Sequence, residues 1–202
     1  LYTVAGIKPD HITPGTIGFQ IAPRINAAGR IDHANEALKL LRTTDADEAT
    51  HLAEHLHATN IERQRLVFEA TAQAMAMVGD VGDRHAIVVC GDGWAPGIVG
   101  LIATKLKDVF HRPAIALTRH SGKVMGSGRS IDGYHIVRAL DACRAHLAGY
   151  GGHPQACGLT LVSPNAVDAF TAAFAQHAAD ALRDADLTPT LAVDAELSLR
   201  DA

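Results

Sequence analysis

The sequence is poor in aromatic side chains, which make up 4% of its 202 residues, although 48% of its residues are apolar. A core in a chain of this length must therefore be built from Ala, Val, Leu and Ile, and the abundant Ala favours helices. No apolar run reaches the roughly 18 residues that a membrane-spanning helix needs. The chain starts at Leu1 without a signal-peptide pattern, and we expect an excised segment of a longer protein.

Cysteines are also few. Cys90, Cys143 and Cys157 are far apart and form no CxxC pair, which argues against a disulfide framework or a cysteine zinc site and favours a reducing cytoplasm. The formal net charge of −4 argues against non-specific nucleic-acid binding through bulk charge. This charge does not exclude a local basic site, and it leaves out the 12 histidines, which become positive at lower pH.

Apolar spacing in the first part of the chain is helical. Residues 1–18 hold Gly, Pro and Thr and predict an irregular lead-in, and a short helix is expected at Ala34–Leu41. With Thr44 as its N-cap, one uninterrupted helix is predicted to run to about Val78, a length of roughly 50 Å.

Beyond residue 81 the pattern changes to strands that alternate with helices. Strands are predicted at His85–Cys90, Pro113–Leu117, Val124–Ser130, Leu159–Val162 and Leu191–Leu199. Helices are predicted at Ile98–Phe110, at Tyr134–Leu147 with Asp132 as its cap, and from Ser163 to Leu182. The fold class is therefore α/β, with a long connecting helix followed by a β-sheet flanked by helices.

The first cluster that could carry chemistry is Gly126-Ser127-Gly128-Arg129-Ser130. Glycines allow backbone N–H groups to face an anion, the two hydroxyls can donate, and one guanidinium can hold a phosphate through two hydrogen bonds. The alternative is a hairpin turn with an exposed arginine.

The second cluster surrounds His153 in the glycine-rich run 149–158. Small neighbours such as Gly151 and Gly152 would let a ligand or another backbone approach closely, and His153 could donate to a phosphate oxygen. The alternative is a loop between a helix and a strand.

The third cluster consists of Arg24, Asn26 and Arg30, whose spacing would form a polar face. The alternative is a helix start at which the two arginine stems cover apolar surface.

A competing motif lies on the long helix, where His51, Glu54 and His55 match the HxxEH pattern of zinc hydrolases. His51 and His55 would lie one turn apart, but the site would need a third ligand that the sequence does not supply.

The single tryptophan, Trp94, lies in Gly93-Trp94-Ala95-Pro96 and is predicted to pack against a turn.

Taken together, the three clusters resemble a known family. Residues 19–30 (FQIAPRINAAGR), 93–100 (GWAPGIVG), 126–130 (GSGRS) and 151–158 (GGHPQACG) are similar in order and spacing to motifs of RecJ single-strand DNA exonucleases, members of the DHH phosphoesterase superfamily. Cys157 stands where the family pattern has Ala.

This resemblance implies a division into 1–18 (lead-in), 19–80 (RINAAGR segment and connecting helix), 81–185 (a mixed-sheet DHH-associated domain) and 186–202 (a linker or the start of an oligonucleotide-binding domain). It implies a 5′–3′ exonuclease of DNA repair and recombination whose Mn²⁺ or Mg²⁺ ions belong to a separate DHH domain. This chain would bind no metal and be inactive alone. Single-stranded DNA, the DHH domain and a single-strand binding protein or helicase would be its partners.

The resemblance also assigns roles to residues. Ser127 and Arg129 would hold the 5′-terminal phosphate in a pocket shaped by Gly126, Gly128 and Ser130. His153 would contact a phosphate near the scissile bond, and Arg24, Asn26 and Arg30 would contact the DNA backbone or brace the cleft. The alternatives are a DHH-type phosphodiesterase acting on short oligonucleotides or cyclic dinucleotides, the HxxEH zinc hydrolase, and a pure interaction module.

Overall fold

The computed structural model describes residues 1–8, 10, 12–191, 193–196 and 198. Its helices are α1 (Tyr2–Ala5), α2 (Pro14–Thr16), α3 (Ala22–Ile31), α4 (Ala34–Arg42), α5 (Ala46–Val78), α6 (Val99–Phe110), α7 (Ile136–Ala142) and α8 (Val167–Ala181). Its strands are β1 (Ile87–Asp92), β2 (Ala114–His120), β3 (Lys123–Arg129), β4 (Leu147–His153) and β5 (Ala156–Leu161). None of the described helices has both the length and the hydropathy needed to cross a bilayer.

The predicted long helix is confirmed as α5, with 33 residues. Its N-cap is Asp45 and not Thr44, because the Asp45 carboxylate accepts a hydrogen bond from the backbone N–H of Glu48 at 2.8 Å. Helices α3 and α4 pack against α5 through a small cluster of Ala28, Ala37 and Leu56. Small side chains at this cluster allow the helices to approach closely.

The sheet has the order β1-β2-β3-β5-β4 and is mixed, as the family resemblance implies. Strands β1 and β2 are parallel and are connected through α6, whereas the other neighbours are antiparallel. The two sheet faces carry separate cores. Phe170, Phe174 and Leu140 belong to the core on the α7–α8 face, and Ile102 and Leu106 of α6 belong to the other.

The carboxyl end of α5 joins the second core through Ala70, Ala74 and Val78, and this packing attaches the long helix to the sheet. Trp94 belongs to the same core and is 5% exposed. Its indole Nε1 donates to Gln73 Oε1 of α5 at 2.8 Å. Because Trp94 follows the end of β1 and is buried in this core, the prediction that it packs the turn there is confirmed.

Several predicted boundaries are wrong. Two helical turns, α1 and α2, lie within the predicted irregular lead-in. Helix α7 starts after His135, whose Nδ1 accepts a hydrogen bond from the backbone N–H of Arg138. The N-cap is therefore His135 and not Asp132. The helix ends at Ala142, before a short 3₁₀ turn. In the predicted last strand, the described residues 191, 193–196 and 198 are not in a strand, and Ala192, Leu197 and Leu199 lie outside the described part.

Candidate nucleic-acid interface

Residues 126–129 of the GSGRS cluster lie on β3, an inner strand between β2 and β5, and not in a hairpin turn, and Ser130 follows the strand. Because side chains alternate along a strand, Ser127 and Arg129 lie on one face and Gly126 and Gly128 on the other. A Cβ on Gly128 would lie 2.6 Å from Ile136 Cδ1 and 2.7 Å from Cys157 Sγ. The glycines therefore fit β3 onto the α7–α8 core, while Ser127 and Arg129 are directed towards the α6 face.

The GGH cluster forms the end of β4 and the turn into β5, so its interpretation as a loop is wrong. Gly152 has a φ of 146°, and a Cβ there would overlap the carbonyl oxygen of Ala156. Only glycine fits this close approach of two strands. The tight pairing positions His153 at the end of β4, directly before the turn, with an exposed side chain.

Strand register brings the two clusters onto one face of the sheet. Arg129 pairs with Ala156, and Ala156 pairs with His153. In the next row on that face, Ser127 pairs with Gly158, and Gly158 pairs with Gly151. Strands lie roughly 4.8 Å apart, so His153 is about 10 Å from Arg129 along its row.

Between these polar residues the sheet surface is open. Gly151 and Gly158 are exposed, and no atom lies within 4 Å of the position that a Cβ would take on either residue. A sugar–phosphate backbone could therefore lie directly on the strands, within reach of backbone and side-chain donors. The arrangement is a flat glycine floor with Ser127 and Arg129 on one side and His153 on the other.

The start of α6 forms the wall behind Ser127 and Arg129. A Cβ on Gly100 would lie 3.0 Å from Arg129 Nη2 and 3.6 Å from Ser127 Oγ. The adjacent turn is held by Arg30, whose Nη1 donates to the Gly97 carbonyl at 3.1 Å. Two guanidinium groups thus lie beside the positive end of a helix, an arrangement that favours a bound anion.

The remaining hydroxyl of the cluster is not available to a ligand. Ser130 is 5% exposed, and its Oγ donates to the Tyr134 carbonyl at 2.6 Å. Its backbone N–H donates to the Gln155 carbonyl at 2.9 Å. Ser130 therefore fixes the end of β3 against the β4–β5 turn and supports the site indirectly.

In the described part of the chain, neither Arg24 nor Asn26 forms a hydrogen bond to Ser127, Arg129 or His153. Arg24 Nε donates to His57 Nδ1 at 3.1 Å, and its guanidinium also contacts the Gln20 carbonyl, so this side chain connects α3 with α5. Asn26 is exposed in a shallow cavity that it shares with Arg30 and with Leu38 and Leu41 of α4.

The HxxEH motif does not assemble a zinc site. His55 Nε2 pairs with Asp32 Oδ2 at 2.9 Å, and this hydrogen bond lowers the pKa of the Asp32 carboxyl. His51 lines the same small cavity. Across residues 1–8, 10, 12–191, 193–196 and 198, no group of three or more His, Cys, Asp or Glu side chains is arranged to hold a metal ion. The described part of the chain therefore fits neither zinc nor the divalent ions that the family resemblance implies.

Two residues of the site, Gly100 and Gly158, lie in motifs quoted from the sequence but were not assigned a role there. Gly100 lies in the GWAPGIVG stretch, but nothing in its composition indicates contact with Arg129. Gly158 becomes part of the floor only through its pairing with Ser127 and Gly151. Period-two alternation along β5 would have identified its face once the neighbouring strands were known.

Comparison with known proteins identifies the family of the chain. Residues 82–180 match the DHHA1 domain family. The single-stranded-DNA-specific exonuclease RecJ of Bacillus subtilis is 42% identical over 189 residues, which cover 92% of this chain and 24% of that protein. Its counterpart from Haemophilus influenzae is 30% identical, over 98% of this chain and 36% of that protein. The chain thus spans between about a quarter and just over a third of these relatives.

The fold matches solved structures of the same group. The crystal structure of RecJ in complex with Mn²⁺ from Thermus thermophilus has a TM-score of 0.79 and 32% identity, covering 89% of this chain and 26% of that one. A second structure, of exonuclease RecJ bound to manganese, has a TM-score of 0.75 and 33% identity, covering 85% and 44%. Fold, motifs and sequence similarity agree: the chain belongs to the RecJ family, and residues 82–180 are its DHHA1 domain.

Proposed function

We propose that this chain is the strand-holding part of a 5′–3′ exonuclease that degrades single-stranded DNA in repair and recombination. The observation that carries the proposal is the shared sheet face, on which Ser127, Arg129 and His153 surround an open floor of Gly151 and Gly158. The relatives are named as single-stranded-DNA-specific exonucleases, which supports the same substrate class here.

In this proposal the 5′-terminal phosphate lies between Ser127 and Arg129, against the first turn of α6. A guanidinium and a hydroxyl bind a phosphate through charge-assisted hydrogen bonds, which are stronger than neutral ones. His153 contacts the next part of the backbone, towards the scissile bond. Because the site residues named above include no Phe, Tyr or Trp for stacking, we expect the site to follow the backbone with little base preference.

We also propose how the remaining parts divide the work. Three of the related crystal structures contain Mg²⁺ or Mn²⁺. The described residues here offer no such site, so those ions would be held by a DHH domain outside this chain, and the chain would be inactive alone. Arg30 would support the anion site, whereas Arg24 and Asn26 would stabilise the helical segment 19–80, in which Arg24 connects α3 with α5. A single-strand binding protein or helicase would act with the enzyme in the cytoplasm.

The proposal is tested by fluorescence anisotropy on the full-length protein with its metal ions chelated. Short single strands with and without a 5′-phosphate are compared, in wild type, Arg129→Ala and Arg183→Ala. Arg183 is the control because it is exposed and paired with Asp180. We expect the wild type and the control to bind the phosphorylated strand about tenfold more tightly, a difference of about 1.4 kcal/mol. Arg129→Ala should bind both strands alike, and an unchanged preference in Arg129→Ala would contradict the proposal.

A further inference from the structure

Strand β4 carries His153 but is attached to the rest of the protein by few side chains. Within β4, all of which is described, Leu147 alone is buried, and three of the seven residues are glycine. In the described sheet β4 is an edge strand whose partner is β5. Tyr150 Oη donates to Asp141 Oδ1 of α7 at 2.9 Å and fixes the middle of the strand. Polar contacts must also fix its carboxyl end, where His153 lies.

The turn after β4 does not fix this end by itself. Pro154 and Gln155 connect His153 to Ala156 as a two-residue hairpin turn. Such hairpins favour turns with a positive φ at the first or at both central residues, because the twist of these turns matches that of the strands. Of the two turn residues, both of which are described, neither has a positive φ. The geometry of this hairpin therefore depends on contacts outside the turn.

The side chain of Gln155 supplies such contacts. Its Nε2 donates to Asp132 Oδ1 at 3.1 Å and to the carbonyl oxygen of Ile131 at 3.4 Å. Both hydrogens of the Nε2 group are used in these two bonds, so this group is directed at the protein and not at a ligand. The acceptors belong to the segment 130–136, which connects β3 with α7.

The segment 130–136 is a firm support for the turn. Its side chains Ile131, Tyr134 and Ile136 belong to the α7–α8 core. The backbone N–H groups of Ser130 and Ile136 donate to the carbonyl oxygens of the two turn residues at 2.9 and 3.0 Å. The Gln155 amide completes this attachment through a side chain, and a substitution can remove it without changing the backbone.

The attachment sets the position of His153 relative to Arg129. Arg129 is the last residue of β3, and Asp132 follows it by three positions. His153 directly precedes the turn, and strand register places it in the row of Arg129 and Ala156. A shift of the turn would therefore move His153, whereas Arg129 stays fixed on an inner strand.

We infer that Gln155 is a positioning residue for His153: its hydrogen bonds to Asp132 and to the Ile131 carbonyl hold His153 where it meets the strand that Arg129 binds. This inference rests on the proposed function. Gln155 acts through His153 and not by touching DNA. Asp132, which the sequence suggested as a helix cap, is instead the fixed acceptor for this amide.

A double-mutant cycle in the full-length protein tests this role, with metal ions chelated and binding of a 5′-phosphorylated single strand measured by fluorescence anisotropy. We expect His153→Ala to weaken binding about tenfold and Gln155→Ala about three- to fivefold. The double variant should bind like His153→Ala, because Gln155 has nothing left to position. Gln155→Ala should keep the preference for a 5′-phosphate over a 5′-hydroxyl, since Arg129 does not move.

Matched variants separate this role from a general loss of structure. Gln176→Ala removes an exposed amide–carboxylate bond of the same kind, to Asp180 Oδ2 at 3.0 Å on α8, and should bind like wild type. Asp132→Ala should reproduce the loss seen in Gln155→Ala. Asp132→Asn keeps an acceptor oxygen for the amide and should lose less. Thermal unfolding of each variant confirms that the affinities compare folded proteins.

The inference is overturned if Gln155→Ala binds like wild type, or if it weakens binding as much in the His153→Ala background as in wild type. Loss of the 5′-phosphate preference in Gln155→Ala would also overturn it, because the end of β3 would then have moved as well. The role of His153 in the proposed function fails separately, and the inference with it, if His153→Ala alone binds like wild type.

Discussion

Gly158→Val should weaken strand binding while leaving the fold at least as stable. Gly158 is exposed in the middle of β5, and no atom lies within 4 Å of its Cβ position, so the new side chain meets open space. Glycine inside a strand costs about 0.5–1 kcal/mol of stability, and valine favours strands, so the free energy of unfolding should rise by about that amount. The two methyl groups would occupy the floor between Ser127 and His153, where we place the DNA backbone.

Affinity for a 5′-phosphorylated strand should therefore fall at least tenfold, or about 1.4 kcal/mol, while the urea midpoint stays equal or rises. Gly128→Ala is the matched control, because its new methyl would enter the α7–α8 core at 2.6 Å from Ile136 Cδ1. It should destabilise the protein by about 1–3 kcal/mol through overpacking. Anisotropy and urea unfolding measure both effects. Undiminished binding by Gly158→Val would refute the argument that the floor holds the strand.

Two further predictions concern the core. Trp94→Phe removes the indole N–H that donates to Gln73 and should lower the free energy of unfolding by about 1–2 kcal/mol. Urea titration measures this change, and an unchanged midpoint would contradict the role of that hydrogen bond. Burial raises the pKa of the Cys157 thiol to about 11, so little thiolate exists at pH 8. Peptide mass spectrometry after mild alkylation should find the half-exposed Cys90 modified before Cys157, and equal rates would contradict the buried position of Cys157.

Hydrophobic periodicity predicted the long helix and most strands because these elements bury regular apolar patterns. Ile115 and Leu117 of β2 face one core, while Ala114 and Ala116 face the other, which is why this segment appears in the sequence as a continuous apolar run. The cap of α5 was missed by one residue, since Thr44 and Asp45 are both good N-cap residues and only backbone geometry decides between them.

The glycine-rich strands were harder to predict. Glycine is rare in strands, so residues 149–153 were interpreted as a loop, and the pairing that requires a glycine at Gly152 depends on Ala156 of the neighbouring strand. Alternation along β3 alone gives the shared face of Ser127 and Arg129. Bringing His153 onto that face requires the strand order β3-β5-β4, which is a property of tertiary structure.

The most direct test of the account is a crystal structure of the full-length protein with a non-hydrolysable, 5′-phosphorylated single strand. The account predicts that the terminal phosphate lies within hydrogen-bond distance, about 2.7–3.1 Å, of Ser127 Oγ and the Arg129 guanidinium. The strand should then cross Gly158 and Gly151 towards His153. A terminal phosphate bound elsewhere, with the glycine floor empty, would contradict the central claim that this sheet face holds the 5′ end.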